Sequence, residues 1–157
     1  MNDLAELLQH FRQSPSVFAA SLDGVTEDES KFSPAPGKWS VREIARHLAD
    51  TEILAGVRLR QIIAEDRPTL TMFDQDKWAV RLNYNECDPH DSLRDFNAVR
   101  AINSAMLAGI PAEAFDREGL HATRGVTTLR FWVDIFAKHV DIHARQIRNA
   151  RAAWLTR

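Results

Sequence analysis

Residues 127–154 read TTLRFWVDIFAKHVDIHARQIRNARAAW, without a single Gly or Pro. The apolar side chains fall at Leu129, Trp132, Val133, Phe136, Val140, Ile147, Ala150 and Trp154. Steps of three and four mark an amphipathic helix buried along one face. His139 and His143 stand on the same face one helical turn apart, so both imidazoles can address one point. Two imidazoles on an apolar seam without partners would be costly. A metal ion taking both as neutral ligands removes that cost. Hydrogen bonds to neighbouring carboxylates would also remove it, as in an ordinary core or interface histidine.

The upstream segments supply the helices against which this face can pack. Trp39-Ser40-Val41-Arg42-Glu43-Ile44 combines a Ser/Glu capping box with a Trp39/Ile44 hydrophobic staple. It opens a helix to about Glu65, with Ile44, Leu48, Ala55, Leu59 and Ile62 on one stripe and Pro68 beyond its end. Asp88-Pro89 starts a third long helix, with Leu93, Phe96, Val99, Ile102 and Met106 as its apolar positions and Gly109 as its C′ residue. Near the N-terminus, Leu4, Leu7, Leu8 and Phe11 form a stretch that Ser14-Pro15 is expected to end and restart, before Phe18, Ala19 and Leu22. Thr26–Gly37 reads as a polar connector with one short turn, Gln75–Leu82 as a short helix, Pro111–Ala114 as one more turn and Arg117–Val126 as a loop. No alternating strand pattern stands out. Four long helices with two longish connections describe an all-α four-helix bundle, expected to form one domain over residues 1–157.

Composition narrows the function. A net charge of −2 argues against a general nucleic-acid binder, which needs a basic face. Arg145, Arg148, Arg151 and Arg157 read more simply as cations complementing a helix C-terminus. One cysteine, Cys87, excludes an intramolecular disulfide and a cysteine-based zinc cluster; though close to His90, it reads as an incidental loop residue. No apolar run reaches membrane-spanning length, and Asp3 and Glu6 precede Arg12, the reverse of a signal peptide. The expectation is a cytoplasmic protein that binds neither membrane nor nucleic acid.

A third ligand should come from a facing helix, and the candidates are His10, His47, His90 and His121. His10 lies near a helix end between Gln9 and Arg12, His90 falls in a first turn, and His121 is in the expected loop. His47 alone is well inside a long helix, on the flank of its apolar stripe, and is preferred. Three neutral imidazoles leave a divalent ion with open positions, as in catalytic rather than closed structural sites. Asp50 and Gln146, each about one turn from a candidate histidine, could orient ligands or hold a metal-bound water, although solvated helix surface is the plainer reading of each.

The stretch Gly37–Glu52, GKWSVREIARHLADTE, resembles the first signature of the DinB-like family, also called the YfiT-like metalloenzymes. Gly125-Val126-Thr127-Thr128-Leu129, followed by His139, His143, Gln146 and Ile147, resembles its second, and Phe73–Ala79 is similar to a segment of some members. The resemblance implies a four-helix bundle with a divalent metal held by His47, His139 and His143, often in a homodimer. Imidazole suits zinc, nickel and iron, with zinc or nickel expected here. Family members of known chemistry use small thiols such as mycothiol or bacillithiol, in S-transfer or in isomerising maleylpyruvate. The resemblance thus implies a thiol, its pKa lowered by the metal, that attacks an electrophile. Metal-activated water for hydrolysis, or a triad that only stabilises the bundle, are the alternatives. Arg100, Arg124 or Arg130 could hold a carboxylate of the thiol or substrate, surface charge being the default for each. A roomy cavity lined by Phe73, Trp78 or Tyr84 would favour an enzyme. The supply of four Trp and eight Phe adds to the homodimer expectation.

Overall fold

The Ser40 capping box forms as the sequence predicts: the Glu43 N–H donates to Ser40 Oγ (3.4 Å) and the Ser40 N–H to Glu43 Oε2 (2.8 Å). In the computed structural model, which describes residues 4–157 and so leaves Asp3 outside, this box opens the second of four long helices. The elements are α1 (Leu4–Leu22), α2 (Glu27–Lys31), α3 (Val41–Ala64), α4 (Gln75–Arg81), α5 (Pro89–Ala108), β1 (Glu118–His121), β2 (Gly125–Thr128) and α6 (Leu129–Leu155), with short 3-10 turns at Tyr84–Glu86 and, where one more turn was expected, at Ala112–Asp116. Helices α1 and α3 each pack against both α5 and α6, which makes the four-helix bundle. The predicted stripe of α6 is buried from Leu129 to Ala150, and the five stripe residues of α3 are buried as well. Each Val, Leu, Ile or Phe among them contributes about 1.5–3 kcal/mol on burial. A second capping box, Thr26 with Glu29, starts the short α2.

Proline does not interrupt α1. One helix runs from Leu4 to Leu22 with Pro15 inside it. Pro15 has no N–H for the Phe11 carbonyl four residues back. That carbonyl instead accepts from Ser14 Oγ (2.9 Å) and from Arg100 Nη1 (2.9 Å), so nothing is left unpaired where the break was expected.

Helix α5 turns a different face inward from the one its apolar residues suggest. Ser92, Phe96, Arg100, Asn103 and Leu107 are buried, while Ile102 is 59% exposed. Polar residues can occupy this face because they satisfy one another: Arg100 Nη2 donates to Glu52 Oε2 (2.6 Å) and Asn103 Nδ2 to Glu52 Oε1 (2.7 Å). Arg100 is therefore neither a surface charge nor free to hold a substrate. Gly109 ends α5 at φ −93°, outside the left-handed conformation of a glycine C′ residue.

The expected loop at Arg117–Val126 is instead an antiparallel hairpin, Glu118 pairing with Thr128 and His121 with Gly125. It also fastens the connector that follows α3. The Leu120 N–H donates to Pro68 O (2.8 Å) and the Leu70 N–H to Leu120 O (2.9 Å). A Cβ on Gly119 would stand 2.8 Å from Leu70 Cδ2, so glycine permits this approach.

Removing one partner of a buried ion pair strands the other. Arg100→Met is expected to destabilise the fold by about 3–5 kcal/mol, read from the midpoint of urea unfolding. A loss below about 1 kcal/mol would show that the Glu52 charge finds another partner.

Candidate metal centre

Three imidazoles meet between α3 and α6. His139 Nε2 lies 2.9 Å from His143 Nε2 and 3.3 Å from His47 Nε2. One ring nitrogen from each of the three falls within 4.8 Å of the others. His47 and His143 are buried, and His139 is partly so. Trp39, read as half of the staple, also packs its ring 4.9 Å from that of His47, and Phe73 stacks on the same imidazole at 6.4 Å. Trp78 packs against Phe73 at 4.9 Å and closes the collar.

Burial disfavours the imidazolium form of all three rings. It pushes the pKa of His47 down to about 3, with the neighbouring His143 adding to the shift. His139 is held well below the ordinary range by burial, then by His143, His47 and Arg100. His143 is lowered by burial and pulled back by its hydrogen bond to Gln146. The rings are thus neutral near pH 7, the state in which imidazole binds a metal.

The donor set suits a divalent ion. Nitrogens about 2.1 Å from a common ion stand roughly 3.0 Å apart at a right angle and roughly 3.4 Å apart at the tetrahedral angle. The two short contacts, 2.9 and 3.3 Å, fall at these separations. Proton counting agrees. His143 Nδ1–H donates to Gln146 Oε1 (2.7 Å), which leaves a lone pair on Nε2 facing His139. One proton on His139 Nε2 can serve only one of its two nitrogen neighbours, so a cation among the three relieves the remaining repulsion.

Among the other expected residues, Gln146 is placed to orient His143. Asp50 is not directed at the cluster: it is buried, accepting from Tyr84 Oη (2.7 Å) and pairing with Arg46 (2.7 Å). His121, His90 and His10 stay outside it. His121 is buried against Trp132, His90 is exposed, and His10 bonds Asp141 at 2.9 Å. The thiol of Cys87 is raised in pKa, chiefly by burial, which makes it a poor nucleophile.

A cleft of about 600 Å³ opens against His143. Its walls include Lys38, Trp39, Gln75, Asp76, Gln146 and Asn149, rather than Phe73, Trp78 and Tyr84. Phe73 and Trp78 serve the collar instead, and Tyr84 is consumed by Asp50. The signal for Asn149 was available, since it lies on the α6 surface one turn beyond Gln146 and Arg145. Lys38, Gln75 and Asp76 lie in the two stretches that resemble family signatures, Gly37–Glu52 and Phe73–Ala79, but no periodicity or spacing marked them as cleft residues.

The sequence profile of the DinB superfamily matches residues 10–147. A protein of Oceanobacillus iheyensis named "putative metal-dependent hydrolase" is 21% identical over 150 residues, covering 96% of this chain and 86% of the relative. YfiT from Bacillus subtilis, with the same name, is 22% identical over 150 residues, covering 94% of this chain and 84% of its own. The solved structure of YfiT, described as having an unusual four-helix bundle topology, superposes with a TM-score of 0.87 over 96% of this chain and 89% of that chain, at 20% identity. A mycothiol-dependent maleylpyruvate isomerase superposes with a TM-score of 0.74 over 92% of this chain, but only 60% of that chain, at 18% identity.

The depressed imidazole pKa values set the sign of a pH dependence. Folded His47 resists protonation down to about pH 3, whereas the unfolded chain takes up the proton near 6.5. Between these values the unfolded state binds more protons, so this contribution is fully present above about pH 6.5 and is lost as pH falls. The metal-free protein should lose thermal stability from pH 6.5 downward, and His47→Gln should flatten that slope. Parallel slopes for the parent and the variant would contradict the assignment.

Proposed function

The chain belongs to the DinB superfamily, and on that premise we propose that it is a metal-dependent enzyme holding its divalent ion on His47, His139 and His143. The convergence of three neutral, mostly buried imidazoles beside an open cleft carries this reading. A divalent ion bound there supplies Lewis acidity that lowers the pKa of a small nucleophile at an open position. The chain does the rest. Gln146 fixes the tautomer of His143, and Trp39 and Phe73 orient His47 and exclude water from its far side. Lys38, Asp76, Gln75 and Asn149 offer the substrate one cation, one anion and two amides.

The nucleophile we propose is a small thiol, transferred through sulfur to an electrophile. The fold shared with a mycothiol-dependent enzyme supports a thiol. The chain's own cysteine, raised in pKa chiefly by burial, is not that nucleophile. The names of the Oceanobacillus and Bacillus relatives support a second reading, hydrolysis by metal-activated water. We further propose zinc or nickel, with iron next, as the metal, and an isologous homodimer of one-domain chains working in the cytoplasm.

Metal analysis of the purified protein tests the centre. His47→Ala, His139→Ala and His143→Ala should each lose most of the bound metal while keeping helical circular dichroism. Gln146→Ala should weaken affinity by about 10–100-fold, and Cys87→Ser should change nothing. Retention of metal by any of the three alanine variants would rule out its histidine as a ligand. Thiol-dependent consumption of an electrophile separates the two reactions, since turnover of an ester or amide without added thiol would favour water. A monomer mass in light scattering at micromolar concentration would exclude the dimer.

A further inference from the structure

A second polar cluster lies towards the hairpin, and its charge balance differs from that of the rest of the core. Arg58 follows His47 by eleven residues along α3, on nearly the same face, and is 5% exposed. Its Nε donates to Thr71 O (2.8 Å), Nη2 approaches Met72 Sδ (3.9 Å), and the guanidinium lies 4.8 Å over the Trp132 ring. No carboxylate pairs with it among the described residues. The two other buried arginines both have one, Arg100 from Glu52 at 2.6 Å and Arg42 from Glu27 at 3.7 Å.

More donors gather around Arg58. His121 packs 5.1 Å from Trp132, and its Nδ1 accepts from the Thr123 N–H (3.3 Å), which places the ring proton on Nε2. Arg124 lies 5.8 Å over Phe131, which packs 5.5 Å from Trp132. Burial and then the Arg124 charge pull the pKa of Arg58 down, and His121 is lowered by burial, Arg58 and Arg124. Two guanidinium groups and an imidazole N–H thus gather around the Trp132–Phe131 pair, and among the described residues no carboxylate forms an ion pair with either guanidinium. A buried, uncompensated cation is costly, and an anion seated there removes the cost.

We propose that Arg58, Arg124 and the Nε2–H of His121 form an oxyanion-binding site for the carboxylate or phosphate group of a small molecule. The planar guanidinium presents paired donors that match either group. Trp132 beneath Arg58 and Phe131 beneath Arg124 hold the two forks by cation–π contact. The site stands about 16 Å further along α3 than His47, and one segment touches both. Arg58 grips Thr71 and Met72, and Phe73 stacks on His47, so two residues of chain, about 7 Å when extended, link the two. The assignment stands without the metal reading above.

Calorimetric titration of the full-length protein with inorganic phosphate and with butyrate tests it, against chloride at matched ionic strength. At least one of the two anions should bind, and which one identifies the group recognised. Arg58→Met, which keeps the apolar stem, should weaken binding roughly tenfold or more, the loss of a charge-assisted hydrogen bond. Arg124→Gln, at an exposed position, and His121→Gln should each weaken it less; they carry the test if Arg58→Met does not fold. His139→Ala should bind the anion as the parent does, which separates this site from anions taken up by a metal. No binding above chloride, or unchanged binding in all of the Arg58, Arg124 and His121 variants, would overturn the proposal.

Discussion

The guanidinium of Arg100 ties the four long helices together. From α5 it donates to Phe11 O and Ser14 Oγ on α1, to Glu52 on α3 and to Phe136 O on α6. Its plane also covers the Phe11 ring at 3.8 Å and the Phe96 ring at 4.9 Å. A buried ion pair adds little net stability over a hydrophobic replacement, since desolvation offsets the attraction. Its consequence here is register. Glu52 lies just over one turn past His47, and Phe136 lies one turn before His139. One side chain that bonds both positions therefore fixes how α3 and α6 face each other, and with them the imidazoles.

The same cation reaches the candidate centre through space. Its charge is among the causes that hold His139 unprotonated, after burial and the two neighbouring histidines. Neutral rings, a fixed tautomer on His143 and an aromatic collar around His47 are all in place in the protein itself. Such preorganisation limits the reordering that binding would otherwise require. The cleft is polar where it meets His143 and apolar at Trp39 and Ile44, the mixture expected of a small-molecule site.

Connectors matter more to this arrangement than their lack of regular structure suggests. The segment after α3 is fastened by the hairpin through Pro68 and Leu70, then by Arg58 through Thr71. Only after these anchors does it deliver Phe73 to His47. The short α4 follows at once, and its first two residues, Gln75 and Asp76, reach the cleft. Each anchor pairs residues far apart in the chain, so the collar depends on closures that no local pattern encodes.

The sequence alone determined the four long helices, the start of α3 at Ser40 and the pairing of His139 with His143, because capping and a 3.6-residue period are local properties. It also singled out His47 for the same cluster, from its position beside an apolar stripe. Tertiary structure decided whatever depended on a distant partner. Pro15 stays inside α1 because Arg100 joins Ser14 at the carbonyl that the proline leaves free. Arg100 and Asn103 displace Ile102 from the core because Glu52 satisfies them across the bundle. Asp50 turns to Tyr84 and Arg46 instead of the imidazoles, and residues 118–128 pair as strands because Pro68 and Leu70 bond to one edge of them. Hydrophobic periodicity counts apolar side chains, so it misplaces polar ones whose cost of burial is met by a partner elsewhere in the chain.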